Sequence, residues 1–160
     1  MAEPARAPEK APQKVPEKAP ERVREKHVVA TLAEMPPGAR KLVTVGSREI
    51  ALFNIDGEFF AVLDRCPHQQ GSLCKGKLIG LVESDEPGDY RFSRPQQIVR
   101  CPWHGWEFDL RTGQSRVDPS SIRVRPYPVE VADGSAVRTG PYKAEVFDVH
   151  VEDQYVVITV

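Results

Sequence analysis

The sequence predicts an all-β domain, an antiparallel sandwich or small barrel, behind an N-terminal tail. Three observations predict it. Short runs rich in β-branched and aromatic residues recur from residue 27 onward, turn residues separate them, and no ten-residue stretch among them carries a helical period.

The tail comes first. Residues 4–23 read PARAPEKAPQKVPEKAPERV, with proline at 4, 8, 12, 16 and 20 and a basic residue two places after each. Each proline removes a backbone donor, clashes with the turn before it and biases the preceding residue toward extended structure, so no helix survives this repeat. Residues 1–26 are therefore predicted to be a disordered, partly polyproline-like linker or tether, and 27–160 the folded domain. The tail holds seven basic and five acidic residues, which leaves 15 basic against 18 acidic in the domain.

Strands are then expected at 41–46 (KLVTVG), 48–55 (REIALFNI) and 58–64 (EFFAVLD). Asp56-Gly57 between the last two is a strong hairpin signal, because tight hairpin turns demand positive φ. Further runs follow at 97–100, 106–110, 122–132, 144–152 and 154–160. The segment 78–95 carries Glu83, Asp85, Glu86, Asp89 and a Pro-Gly pair, and reads as a surface excursion able to steer a partner or simply to stay solvated.

Composition narrows the classes of function. A chain of 160 residues with formal charge -1 gives no electrostatic reason to bind nucleic acid or an anionic membrane. No run of 18 apolar residues and no secretory h-region occurs, so a soluble, cytoplasmic protein is expected. Three cysteines, an odd number, suit metal ligation plus a spare thiol better than a disulfide framework.

Four residues carry the chemistry. Cys66 and His68 stand one residue apart in RCPHQQGSLC, and Cys101 and His104 two apart in RCPWHGWEFD, leaving Cys74 as the spare. Two thiolates and two imidazoles suit zinc, or iron with sulfide. A structural zinc finger groups like ligands, whereas here each half-site offers one sulfur and one nitrogen, so two facing turns can give one iron both sulfurs and a second iron both nitrogens.

The C-x-H and C-x-x-H pair, in the wording CPH and CPWHGWEFD, resembles the Rieske iron-sulfur family, and Gly105, Asp109 and Gly113 also match it. The resemblance implies a Rieske-type fold with two cluster-binding loops and one [2Fe-2S] cluster. In it, Cys66 and Cys101 ligate the inner iron, and His68 and His104 the exposed outer one. The departures are specific. Gly71 and Trp103 stand where the relatives of bc-type complexes have an additional, disulfide-bonded cysteine pair, and Trp106 and Phe108 replace their serine and tyrosine. Without those hydroxyl donors to sulfur the potential is expected near the low end of about -150 to +300 mV. The wording is closer to Rieske ferredoxins and ring-hydroxylating oxygenases, although 69–100 is longer than the spacing of compact ferredoxins.

A complete oxygenase would need a second iron held by two histidines and a carboxylate, and only His27 and His150 remain, outside any motif. One-electron transfer is the expected function, by a ferredoxin-like component rather than a complete enzyme, through the His68 and His104 edge. Expected partners are a flavin or iron-sulfur reductase and an oxygenase or other oxidoreductase; no small-molecule substrate site stands out. Trp103 and Trp106 are expected to shield the cluster from water. The rival readings are a redox-sensing binding module and a fixed small subunit of an oxidoreductase complex.

Overall fold

The computed structural model describes residues 24–144, 150 and 152–160. Eleven strands and one short helix account for the described regular structure. The predicted tail up to Val23 and most of the expected strand at 144–152 lie outside the described residues.

The strands are β1 (Lys26–Thr31), β2 (Arg40–Val45), β3 (Arg48–Ile55), β4 (Glu58–Leu63), β5 (Lys77–Glu83), β6 (Arg91–Arg100), β7 (Glu107–Asp109), β8 (Pro126–Tyr127), β9 (Val129–Asp133), β10 (Tyr142–Lys143) and β11 (Gln154–Thr159). Helix α1 spans Gly134–Thr139, between β9 and β10. Three sheets form, ordered β10-β1-β11-β9, β2-β3-β4-β8 and β5-β6-β7. Every pairing is antiparallel except β1 with β10.

β3 organises the interior. Ile50 and Leu52 pack with Val156 and Ile158 of β11 on one side, while Ala51, Phe53 and Ile55 pack with Cys66, Cys101 and Phe108 on the other. Side chains alternate along a strand, so a strand buried on both faces needs apolar residues at every position. That is why IALF is unbroken. The hairpin between β3 and β4 turns at Asp56 and Gly57, both at positive φ (51° and 92°), as the Asp-Gly pair predicts. Buried Asn54 secures it, its amide donating to the Met35 carbonyl at 2.6 Å and its oxygen accepting from the Gly57 N–H at 2.8 Å.

The segment 78–95 differs from the expected excursion. It belongs to a hairpin, β5 paired with β6 from Lys77↔Arg100 at the base to Glu83↔Arg91 near the tip. Between Ile79↔Ile98 and Leu81↔Ser93 the register jumps, with Gly80 opposite residues 94–97, and Arg94 and Gln96 take positive φ there. This bulge tolerates Pro95, which has no N–H to give a ladder. It also sends the Arg94 guanidinium to Asp109 at 2.6 Å. The acidic residues thus sit on a structured tip. β1 is a further strand beyond the expected runs, and 122–132 divides into an isolated bridge at Arg123, then β8 and β9.

Candidate metal centre

Both half-sites occupy loops at one end of the β5-β6-β7 sheet, the first between β4 and β5 and the second between β6 and β7. The loops share a backbone design. The Cys66 carbonyl accepts from the N–H four residues on (Gln70, 2.8 Å), and its N–H donates to the carbonyl five residues on (Gly71, 3.0 Å). Cys101 repeats this with Gly105 (3.1 Å) and Trp106 (2.7 Å). The fourth residue after each cysteine has positive φ, 65° at Gln70 and 74° at Gly105. Glycine announces this turn in the second loop, while Gln70 hides it in the first.

The turns bury the sulfurs and present the imidazoles. Cys66 and Cys101 are 1% and 3% exposed, within the cluster of Phe53, Leu73, Val99 and Phe108. His68 and His104 are exposed, their rings 4.7 Å apart edge to face. The Trp106 indole stacks on His68 at 4.5 Å with an 8° interplanar angle, whereas Trp103 is 60% exposed beside His104. Burial pushes the Cys66 thiol pKa up, with the Cys101 side chain adding to the rise, while the His68 and Gln69 backbone N–H groups draw it down.

Several supports were not legible in the motif. Asp64, buried just before the first half-site, accepts from the Ser72 hydroxyl (2.7 Å) and the Cys74 N–H (2.6 Å), closing the loop from within. Arg40 donates to the carbonyls of Cys74 (3.1 Å) and Gly76 (2.5 Å). A Cβ on Gly71 would lie 3.0 Å from Cys101 Sγ and 3.1 Å from Trp103 Cγ, and one on Gly76 would lie 2.6 Å from the Arg100 carbonyl oxygen. Both glycines are close-approach positions, visible only once the two loops meet. Asp109 anchors the second loop by accepting from Arg94 and, at 2.8 Å, from the Arg111 N–H. Cys74 is partly buried and bound through its N–H to Asp64, apart from the paired sulfurs; burial, then the Asp64 charge, raises its pKa.

The donor set fits a two-iron group. A lone structural zinc takes four ligands, whereas a two-iron cluster asks only for a sulfur pair and a nitrogen pair. Cys66 and Cys101 share one buried cluster, and the histidine rings adjoin on the outer side. A family model for the Rieske [2Fe-2S] domain matches residues 25–128. The chain belongs to this family. Its cofactor is therefore a [2Fe-2S] cluster.

Similar proteins agree. The 3-phenylpropionate/cinnamic acid dioxygenase ferredoxin subunit of Photorhabdus laumondii is 37% identical over 107 residues, 67% of this chain and 87% of the relative. The biphenyl dioxygenase ferredoxin subunit of Pseudomonas sp. strain KKS102 is 33% identical over 98 residues, 61% of this chain and 76% of the relative. In fold, the Rieske chain is similar to the ferredoxin of carbazole 1,9a-dioxygenase from Nocardioides aromaticivorans IC177, with TM-score 0.51 and 21% identity over 82% of this chain and 96% of that one. No helix among the described residues is long and apolar enough to cross a membrane.

His27 and His150 take no part in the site. His27 lies in β1 with Nε2 3.5 Å from a Glu25 carboxylate oxygen, and the His150 N–H donates to the Tyr155 hydroxyl at 2.8 Å.

Proposed function

We propose that Cys66 and Cys101 hold the inner iron of a [2Fe-2S] cluster, that His68 and His104 hold the outer one, and that the protein carries single electrons between a reductase and an oxygenase. The observation that carries this reading is the sorting of donors by depth, two buried thiols behind two exposed imidazoles. When bound, the cluster supplies a one-electron couple at the protein surface. The residues of the chain do the rest. His68 and His104 form the exposed edge where a partner approaches, Trp106 covers one imidazole face, and the apolar surroundings of Cys66 and Cys101 keep water from the sulfurs.

The partner class is supported by the dioxygenase ferredoxin subunits among the relatives. No hydroxyl stands at 106 or 108 to donate to sulfur, and Phe108 is fully buried, which supports a low potential. A cytoplasmic location suits three cysteines that form no disulfide.

Electron paramagnetic resonance of the dithionite-reduced protein, with iron and sulfide counted on the same sample, tests the proposal. The expected result is a reduced two-iron signal of low average g value with about two irons and two sulfides per chain. One zinc and no sulfide would overturn it.

A further inference from the structure

The proposed electron transfer leaves two features without a role, the proline repeat of the sequence and the acidic hairpin tip. The outer half of the β5-β6 hairpin exposes large apolar side chains. Phe92 is 82% exposed, Tyr90 68% and Val82 47%, and Val117, on the neighbouring loop, 72%. Val82 is the register partner of Phe92, so the two share a face of the ribbon, and Tyr90 stands just before β6, two residues from Phe92. Val82, Phe92, Ser84, Asp85 and Arg116 line a surface cavity of about 720 Å³. Exposed aromatic side chains grouped with other apolar ones are a common feature of docking surfaces.

The charge around this patch selects the occupant. Residues 83–92 contain four carboxylates and one arginine. Arg91 is paired with Asp85, whereas Glu86 and Asp89 have no ionic partner among the described residues. A second copy of the same patch would bring like charges together. Residues 4–23 carry five basic and three acidic side chains, with a proline at every fourth position and a basic residue two places after each. Proline rings on aromatic faces with flanking cations against carboxylates are a recurring mode of peptide recognition. We propose that the acidic, aromatic tip of the β5-β6 hairpin is the docking site of the chain's own N-terminal repeat, residues 4–23.

The reach is sufficient. Arg24, where the described chain begins, lines a cavity with Arg111, and the Arg111 side chain donates to Gln97 of β6 at 2.9 Å. Tyr90 lies seven residues from Gln97, at most roughly 23 Å along a strand. Counted from Arg24, the chain in polyproline form carries Pro16 up to about 25 Å away and Pro8 up to about 50 Å, so the N-terminal half of the repeat reaches the tip. Tethering supplies an effective concentration on the order of 1 mM, so even a millimolar contact is populated.

Full-length protein tests this by trypsin cleavage at Lys10, Lys14 and Lys18. The expected result is cleavage roughly threefold to tenfold faster in a Tyr90→Ser/Phe92→Ser variant than in wild type, with wild-type protection independent of protein concentration. Amide chemical shifts supply a readout that leaves the fold untouched. Pro8, Pro12 and Pro16→Gly should move the resonances of Val82, Tyr90 and Phe92 and leave those of β3 and β4 in place. Equal cleavage rates together with unmoved hairpin resonances would overturn the proposal. Protection that disappears on dilution would assign the patch to a second copy, and hairpin shifts seen only on adding a redox partner would assign it to that protein; either result also overturns docking in cis.

Discussion

Gly71 and Trp103 sit where a bracing disulfide can be installed, and the structure supplies its geometry. A Cβ built on Gly71 lies 3.1 Å from Trp103 Cγ, the atom that a cysteine sulfur at 103 would replace. In a disulfide each Cβ stands about 3 Å from the far sulfur, so Gly71→Cys/Trp103→Cys needs almost no backbone movement. The bond would close a loop of about 30 residues, for which the chain-entropy relation gives about 3.7 kcal/mol of stabilisation. Removing Trp103 sacrifices little packing because the indole is largely exposed, but the new Cβ stays 3.0 Å from Cys101 Sγ, and the adjustment there lowers the gain. At about 3 °C per kcal/mol the ceiling is roughly 11 °C. The assay is thermal unfolding followed by visible circular dichroism of the cluster, with Trp103→Cys alone as reference and mass spectrometry of alkylated protein counting free thiols. The reasoning is refuted if the two new thiols stay alkylatable in the folded, oxidised protein, or if the bond forms and the midpoint does not rise.

Further outcomes follow from single residues. Gln70→Gly should stabilise by about 0.5 to 1 kcal/mol in denaturant titration, because it relieves a side chain from φ 65° in the turn that Gly105 already occupies in the second loop. Gly113→Ala should cost more than about 3 kcal/mol or abolish folding, since its Cβ would fall on the Val124 carbonyl oxygen at φ 73°. Cys74→Ser should keep full iron and sulfide content, whereas Cys66→Ser or Cys101→Ser should lose the cluster, as read from visible absorption. Trp106→Ala should shorten the lifetime of the oxidised cluster in air, because it uncovers the stacked face of His68. Potentiometric titration should place the midpoint well below 0 mV.

What the sequence could show follows from how locally each feature is written. The four ligand candidates sit in two short turns, and the Asp56-Gly57 hairpin needs only its own two residues, so both are visible in the chain. The likeness of the two cysteine turns is not, because a histidine at the second place in one and the third in the other, and Gln70 against Gly105, disguise one backbone shape. The clamp from Asp64 to Ser72 and Cys74 and the room that Gly71 leaves for Trp103 depend on segments meeting across the fold. Residues 78–95 read as a loop because Gly80, Pro95 and the acidic tip interrupt any alternation, yet the bulge absorbs those interruptions and the ladder continues on both sides.

That hairpin has a consequence for evolution. Its base, Lys77↔Arg100, lies directly between the two cysteine turns, and everything from Leu81 to Ser93 lies beyond the bulge. Residues can enter or leave the ribbon in pairs, one per strand, with no shift of either turn, because the crossing at its foot sets their separation. The number of residues between His68 and Cys101 is thus free to drift while the placement of the two turns stays fixed. Searches for such centres should leave that gap open and hold only the two turns constant.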